Sequence, residues 1–187
     1  MAVTVTPQQF TFVDYDAAEI ERLMADLAAK LGITTDIALE VDETSPLARV
    51  TVVDAGDPIT VRADSGALED TKRLRQLSAR AVRTSIGRVL LRLRDRASGA
   101  FDDAPPDTEL TLPQQATWDT YCVGRLERIG VPVNQQRWRY NFRNRHGFND
   151  DVDVAFDRIF AAEGWSWAEL AAVSEDARAV QAAARDA

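Results

Sequence analysis

The apolar residues of the first hundred positions change period twice, and that change restricts the fold more than any single residue does. Between Asp16 and Leu31, Ile20, Leu23, Met24, Leu27 and Leu31 recur at three- and four-residue steps, so they share one face of a helix. Asp16 with Glu19 has capping-box spacing, and Gly32 is a natural left-handed stop. The period then drops to two. Ile37, Leu39 and Val41 face one way, followed by Val50 with Val52 and by Ile59 with Val61. The connections Asp42-Glu43-Thr44-Ser45-Pro46 and Asp54-Ala55-Gly56-Asp57-Pro58 carry turn chemistry. These segments predict a three-stranded antiparallel meander, which needs a helix over its apolar face.

From about Leu68 to Ala97 the helical period returns in Leu74, Leu77, Ala81, Val82, Ile86, Val89, Leu90 and Leu93. Ser65, Glu69 and Asp70 supply a cap and favourable dipole charge at its start. Such a helix would be roughly 45 Å long, more than a three-stranded sheet covers. It therefore breaks near Gly87 or packs its far half on the C-terminal region or on a second chain, and packing on the C-terminal region is the expectation.

Residues 99–112 hold Gly99, Asp102, Asp103, Pro105, Pro106 and Asp107, the composition of a stiff polar linker. Helices are predicted over Pro113 to Ile129, Asp150 to Ala162, and Ser166 to about Ala184. Gly130 and Gly164 lie past two ends, and Ser166 with Glu169 forms a second capping box. Asn134 to Arg145 reads as helix more than strand. The predicted fold is thus α+β: an α-β-β-β-α unit over residues 1–98, a linker over 99–112, and a mainly helical unit over 113–187, the two packing as separate units or as one domain.

The chain has 187 residues, 30 of them acidic and 22 Lys or Arg, for a net charge of -8. That balance disfavours bulk attraction to nucleic acid or anionic membrane, but leaves room for a local basic site. One cysteine excludes an internal disulfide, and one histidine with one cysteine excludes a Cys/His structural zinc site within the chain. The N-terminus has neither a basic start nor a long apolar run, and no apolar stretch approaches the ~20 residues needed to span a bilayer. The expected location is the cytoplasm, without a membrane partner.

Positive charge is confined to two stretches. Residues 71–98 carry nine basic groups and one acid. If this stretch is one helix, Lys72, Arg73, Arg80, Arg83 and Arg94 fall within about a third of its circumference. They form either a solvated face paired to the acidic first third of the chain, or an anion-binding face. The second stretch, residues 134–148, places Arg137, Arg139, Arg143 and Arg145 among Trp138, Tyr140, Phe142 and Phe148, with no acid. Bases stack on aromatic rings and guanidinium planes while Arg neutralises phosphate, so a single-stranded nucleic-acid site would use these residue types. The alternative is core aromatics overlaid by Arg stems and clamped by the following Asn149-Asp150-Asp151-Val152-Asp153.

Catalytic motifs are absent from the sequence. There is no G-x-S-x-G elbow, Walker A loop, G-x-G-x-x-G or H-E-x-x-H. His146 before Gly147 reads as a helix C-terminal residue with its charge matched to the dipole, and Cys122 as a small buried hydrophobe. Asn149, Asp151 and Asp153 start like a calcium loop, but Val154 replaces the required Gly and Phe160 the required Glu. Trp118, Trp138, Trp165 and Trp167 all follow residue 112. They either pack a helical core or expose one Trp at the 164–167 corner.

The sequence is therefore read as a non-enzymatic binding module with no cofactor or metal. Arg73, Arg80, Arg83, Arg137, Trp138, Arg139, Tyr140, Arg143, Arg145 and His146 form its proposed contact surface for an anionic partner, an acidic protein or nucleic acid. Two alternatives stand beside it: a small carboxylate/Arg enzyme with a cleft near His146, and a homo-oligomer formed through the long helix.

Overall fold

The computed structural model describes residues 1–185, with side chains through residue 179. The protein is mixed α and β: the described residues form six α-helices, a four-stranded mixed sheet and a two-stranded sheet. The chain divides into two units, Met1–Leu93 and Arg94–Ala187. Asp186 and Ala187, the end of the predicted C-terminal unit, lie outside the described residues.

The first unit opens with β1 (Val3–Thr6), which the sequence reading did not include, and α1 (Ala17–Leu31). The Asp16 carboxylate accepts the Ala18 N–H at 2.9 Å and starts α1, while Glu19 turns to Arg22 instead of closing a capping box. Ile20, Leu23, Met24, Leu27 and Leu31 are buried, as their spacing predicts. The three predicted strands form as β2 (Ile37–Asp42), β3 (Val50–Asp54) and β4 (Ile59–Asp64).

Their order corrects the meander. The sheet runs β1-β2-β4-β3, with β1 parallel to β2, β2 parallel to β4, and only β3 antiparallel to its neighbour. The physical cause lies in the connection 43–49. Ser65 donates its hydroxyl to the Ser45 carbonyl at 2.8 Å, and Asp64 donates its N–H to the Arg49 carbonyl at 2.9 Å. A Cβ on Gly66 would sit 2.0 Å from the Pro46 carbonyl oxygen, so only glycine permits that approach. The chain thus leaves β2, crosses the end of β4, and returns on its far side. The strands sort by burial accordingly: Val61 and Ala63 of β4 are fully buried, while β3 keeps only Val50 and Val52 half-buried at the sheet edge.

The predicted helix from Leu68 is also corrected. A short 3-10 turn, Ser65–Ala67, leads into a hairpin of β5 (Glu69–Asp70) and β6 (Arg73–Leu77). Glu69 and Asp70 do not charge a helix start. Their carboxylates accept the backbone N–H groups of Arg75 and Lys72 and clamp the turn. Helix α2 (Ala79–Ala97) begins only after Ser78, whose hydroxyl accepts the Ala81 N–H at 3.2 Å. It is unbroken at Gly87. Its residues from Arg94 onward fall in the second unit.

The second unit is built around α3 (Leu112–Arg128), which contacts α4 (Gln135–His146), α5 (Asp150–Ala161) and α6 (Trp167–Arg185). A capping box between Thr111 and Gln114 starts α3, with Pro113 in its first turn. Segment 99–112, read as linker, belongs to this unit and contributes buried Phe101, Ala104 and Leu110. Phe101 stacks on Trp118 at 4.9 Å between centroids, and Trp167 lies 5.4 Å from Trp118. These contacts favour core packing for the tryptophans, with Trp165 half-buried under the Arg158 guanidinium. Gly124 lets α3 approach α5, since a Cβ there would meet the Phe160 carbonyl oxygen at 1.9 Å.

Candidate functional site

Helix α4 divides the Arg/aromatic segment into three faces. The Asn134 side chain accepts the Arg137 N–H at 3.1 Å and starts the helix. Phe142 and His146, one turn apart, are buried and stack at 3.9 Å, and Phe142 meets Phe156 of α5 edge-on. Trp138 is half-buried on the turn before Phe142. This is the inward face.

Beside it, Arg139 and Arg143 face α5. The Arg143 Nε–H donates to the Asp153 carboxylate at 2.7 Å, and its terminal nitrogen bonds the second oxygen of the same group. Arg139 pairs with Asp157, lies 3.5 Å from Asp153, and sits 4.5 Å over the Phe156 ring. The hydrogen bond and charge of Arg143, followed by those of Arg139, hold the Asp153 carboxyl below its ordinary value. Asp153 in turn raises Arg143. These two arginines join α4 to α5 and are not free for a partner.

The outward face keeps Arg137, Tyr140, Asn144 and Arg145 exposed, with Phe148 just beyond the helix end. Arg137, Tyr140 and Asn144 fall within about 60° of the helix circumference, and Arg145 lies about 80° from Arg137. Neither Arg137 nor Arg145 forms an ion pair among the described residues. Tyr140 is 60% and Phe148 59% exposed, and their rings meet edge to face at 5.9 Å. Arg137 thus lies beside the exposed aromatic pair, while Arg145, about 140° from Tyr140, is a second unpaired guanidinium nearer the Trp138 edge of the helix.

His146 is the last residue of α4, as predicted, but it is not a charged surface group. It is 2% exposed. Its Nδ1–H donates to the Phe142 carbonyl at 3.1 Å, which leaves Nε2 to accept from Ser174 Oγ at 2.9 Å, with Thr117 Oγ1 at 3.2 Å. Burial pushes its pKa down to about 4, so the ring is neutral near pH 7. A serine hydroxyl against an imidazole resembles a nucleophile–base pair, but Ser174 is also 2% exposed and Nδ1 meets a carbonyl instead of a carboxylate. The group ties α3, α4 and α6 together.

In the first unit the predicted basic helix face is redistributed. Arg73 lies on β6 and pairs with Asp70 at 3.3 Å. Arg83, on α2, reaches Asp26 of α1 at 3.3 Å. Arg80 is exposed and makes no ion pair among the described residues, and the same holds for Lys72 and Arg75 on the hairpin. Sequence reasoning missed the exposed hairpin because Leu74 and Leu77 sit at helical spacing. The signals against a helix are the Asx turn at Asp70 and the late N-cap Ser78.

One further charged cluster is structural. Asp95 accepts two hydrogen bonds from Arg125 at 2.6 Å each and one from the Trp118 indole at 2.8 Å. Arg125 also lies 3.9 Å over the Tyr121 ring. Burial works against the Arg125 charge, but Asp95 outweighs it and raises the pKa. Cys122 is buried beside this pair, as expected. Among the described residues no group of three or more His, Cys, Asp or Glu is placed to hold a metal ion. None of the described helices is long and apolar enough to cross a membrane. Comparison with protein-family models, with curated proteins and with solved structures finds no match to this chain.

Proposed function

We propose that the protein is a non-enzymatic interaction module that engages an acidic protein through the outward face of α4. The observation that supports this is that α4 leaves two arginines without ion pairs among the described residues, Arg137 and Arg145, exposed on the same helix as an aromatic pair about three-fifths exposed. Tyr and Arg are favoured anchors where one side chain supplies both apolar area and a charged or polar contact. An acidic protein suits this face better than nucleic acid. Only two cations on this face are without ion pairs among the described residues, few for a phosphate backbone that rewards many such contacts.

The contact surface is smaller than composition suggests, because Arg139 and Arg143 are held by Asp153 and Asp157. The enzyme alternative lacks a supporting observation at His146, whose ring is enclosed. The long helix of the oligomer alternative is α2, which spans Ala79–Ala97. Retention on immobilised polyglutamate at low salt, reduced by Arg137→Ala with Arg145→Ala, is the expected result. Retention indifferent to those substitutions rejects the reading. Tighter salt-dependent retention on a single-stranded oligonucleotide, lost in the same variants, would replace the acidic protein with nucleic acid.

A further inference from the structure

We propose that the β5–β6 hairpin is a second docking element, for an acidic protein segment that carries an apolar side chain. It belongs to the other unit and stands whether or not α4 binds anything. Leu74 is 83% exposed, the most exposed large apolar side chain among the described residues. Its backbone is not a frayed tip. The strand pairing shifts between Glu69 with Leu77 and Asp70 with Arg73, which throws Leu74 to Gln76 out as a bulge.

That bulge is pinned on both sides. The Arg75 N–H donates to the Glu69 carboxylate, the Arg75 carbonyl accepts the Asp14 N–H at 2.7 Å, and Gln76 bridges Asp14. Arg75 is held at φ 61°, the one left-handed non-glycine residue among the described residues. An L side chain resists that conformation, so the surrounding bonds hold it at a cost, and strain of this kind concentrates at binding sites. The result is a fixed loop that keeps a leucine in water.

The rim of this leucine is cationic. Lys72 and Arg75 are exposed without ion pairs, Arg73 has only the surface partner Asp70, and Arg80 follows at the start of α2. The sequence holds no carboxylate from Thr71 to Arg94. Glu69 and Asp70 are engaged by the hairpin's own N–H groups and by Arg73, so Lys72, Arg75 and Arg80 are the cations left to a partner and favour an acidic one around the apolar centre. The apolar centre favours protein over nucleic acid, since a phosphate backbone gains nothing from Leu74. Phe12 is 58% exposed two residues before Asp14, and adds apolar surface on the segment bonded to the bulge.

The test uses the full chain and a labelled short peptide of alternating Glu and Leu, followed by fluorescence anisotropy at low salt. Polyglutamate of equal length and a single-stranded oligo-dT are the comparison probes. Leu74→Asp and Arg75→Gly are each expected to weaken the Glu/Leu peptide about tenfold or more, with polyglutamate binding more weakly than that peptide. Glycine accepts φ 61°, so Arg75→Gly removes the cation and spares the bulge. Arg137→Ala with Arg145→Ala should leave this tenfold sensitivity to Leu74 in place. Unchanged affinity in both hairpin variants overturns the proposal, even if the α4 variants lose binding. So does oligo-dT binding more tightly than the Glu/Leu peptide, or no binding of that peptide.

Discussion

Arg143 of α4 and Asp153 of α5 form a two-pronged ion pair, Nε to Oδ1 at 2.7 Å and a terminal nitrogen to Oδ2. This pair divides the arginines of one helix into structural and available groups. It also explains why an acid run directly follows a basic segment: the first turn of α5 holds Asp150, Asp151 and Asp153, where negative charge suits both the helix dipole and the neighbouring arginines. Asp153→Asn therefore releases Arg143 and loosens Arg139. Polyglutamate retention should rise, while stability falls only slightly in urea unfolding, as for solvent-screened pairs. Retention that falls in this variant would mean Asp153 does not withhold charge from the surface.

His146 supplies a pH dependence. Folded, its pKa is pushed down to about 4 by burial; unfolded, it returns to about 6.5. The unfolded chain thus takes up a proton first as pH falls. The stability this site contributes is full above about pH 6.5, declines between about 6.5 and 4, and is gone below. The difference approaches about 3 kcal/mol. Since the chain has one histidine, its ring resonances in NMR report the site without assignment. They should not titrate above about pH 5, and a midpoint of 6 to 7 would contradict the enclosed, neutral ring. His146→Gln should flatten that part of the stability profile.

Asp95 and Arg125 form a buried pair in which each charge depends on the other. Asp95→Ala strands the guanidinium and leaves the Trp118 indole without its acceptor, so a loss of about 3–5 kcal/mol is expected in urea unfolding. Adding Arg125→Met to that variant should recover part of the loss, because it removes the stranded charge. A double variant worse than the single one would show that Arg125 contributes mainly through its stacking on Tyr121.

Gly124→Ala should destabilise the second unit by about 1–3 kcal/mol, although alanine is the better helix former. The added methyl would occupy the position of the Phe160 backbone carbonyl, and α3 and α5 must separate to admit it. Thermal melting that is unchanged or higher in this variant would contradict the close approach.

Periodicity made α1 legible in the sequence, because its caps and its apolar stripe agree. The strands were legible as strands, but their order was not. Two-residue alternation reports which residues face the core, whereas the order depends on Gly66 and Ser65 admitting the 43–49 connection, a long-range contact without a local signature. The hairpin was misread because Leu74 completes a helical pattern while lying in water. In the basic segment, residue types alone did not separate Arg137 and Arg145 from Arg139 and Arg143. That distinction arises once the helical period sets the second pair against the acids of α5.

Anisotropy titration of labelled polyglutamate, with two double variants at matched low salt, tests the division of arginines most directly. Arg137→Ala with Arg145→Ala is expected to weaken binding about tenfold, while Arg139→Ala with Arg143→Ala costs stability but changes affinity less than about threefold. The reverse order, with the α5-paired arginines governing affinity and the exposed ones silent, would contradict that division.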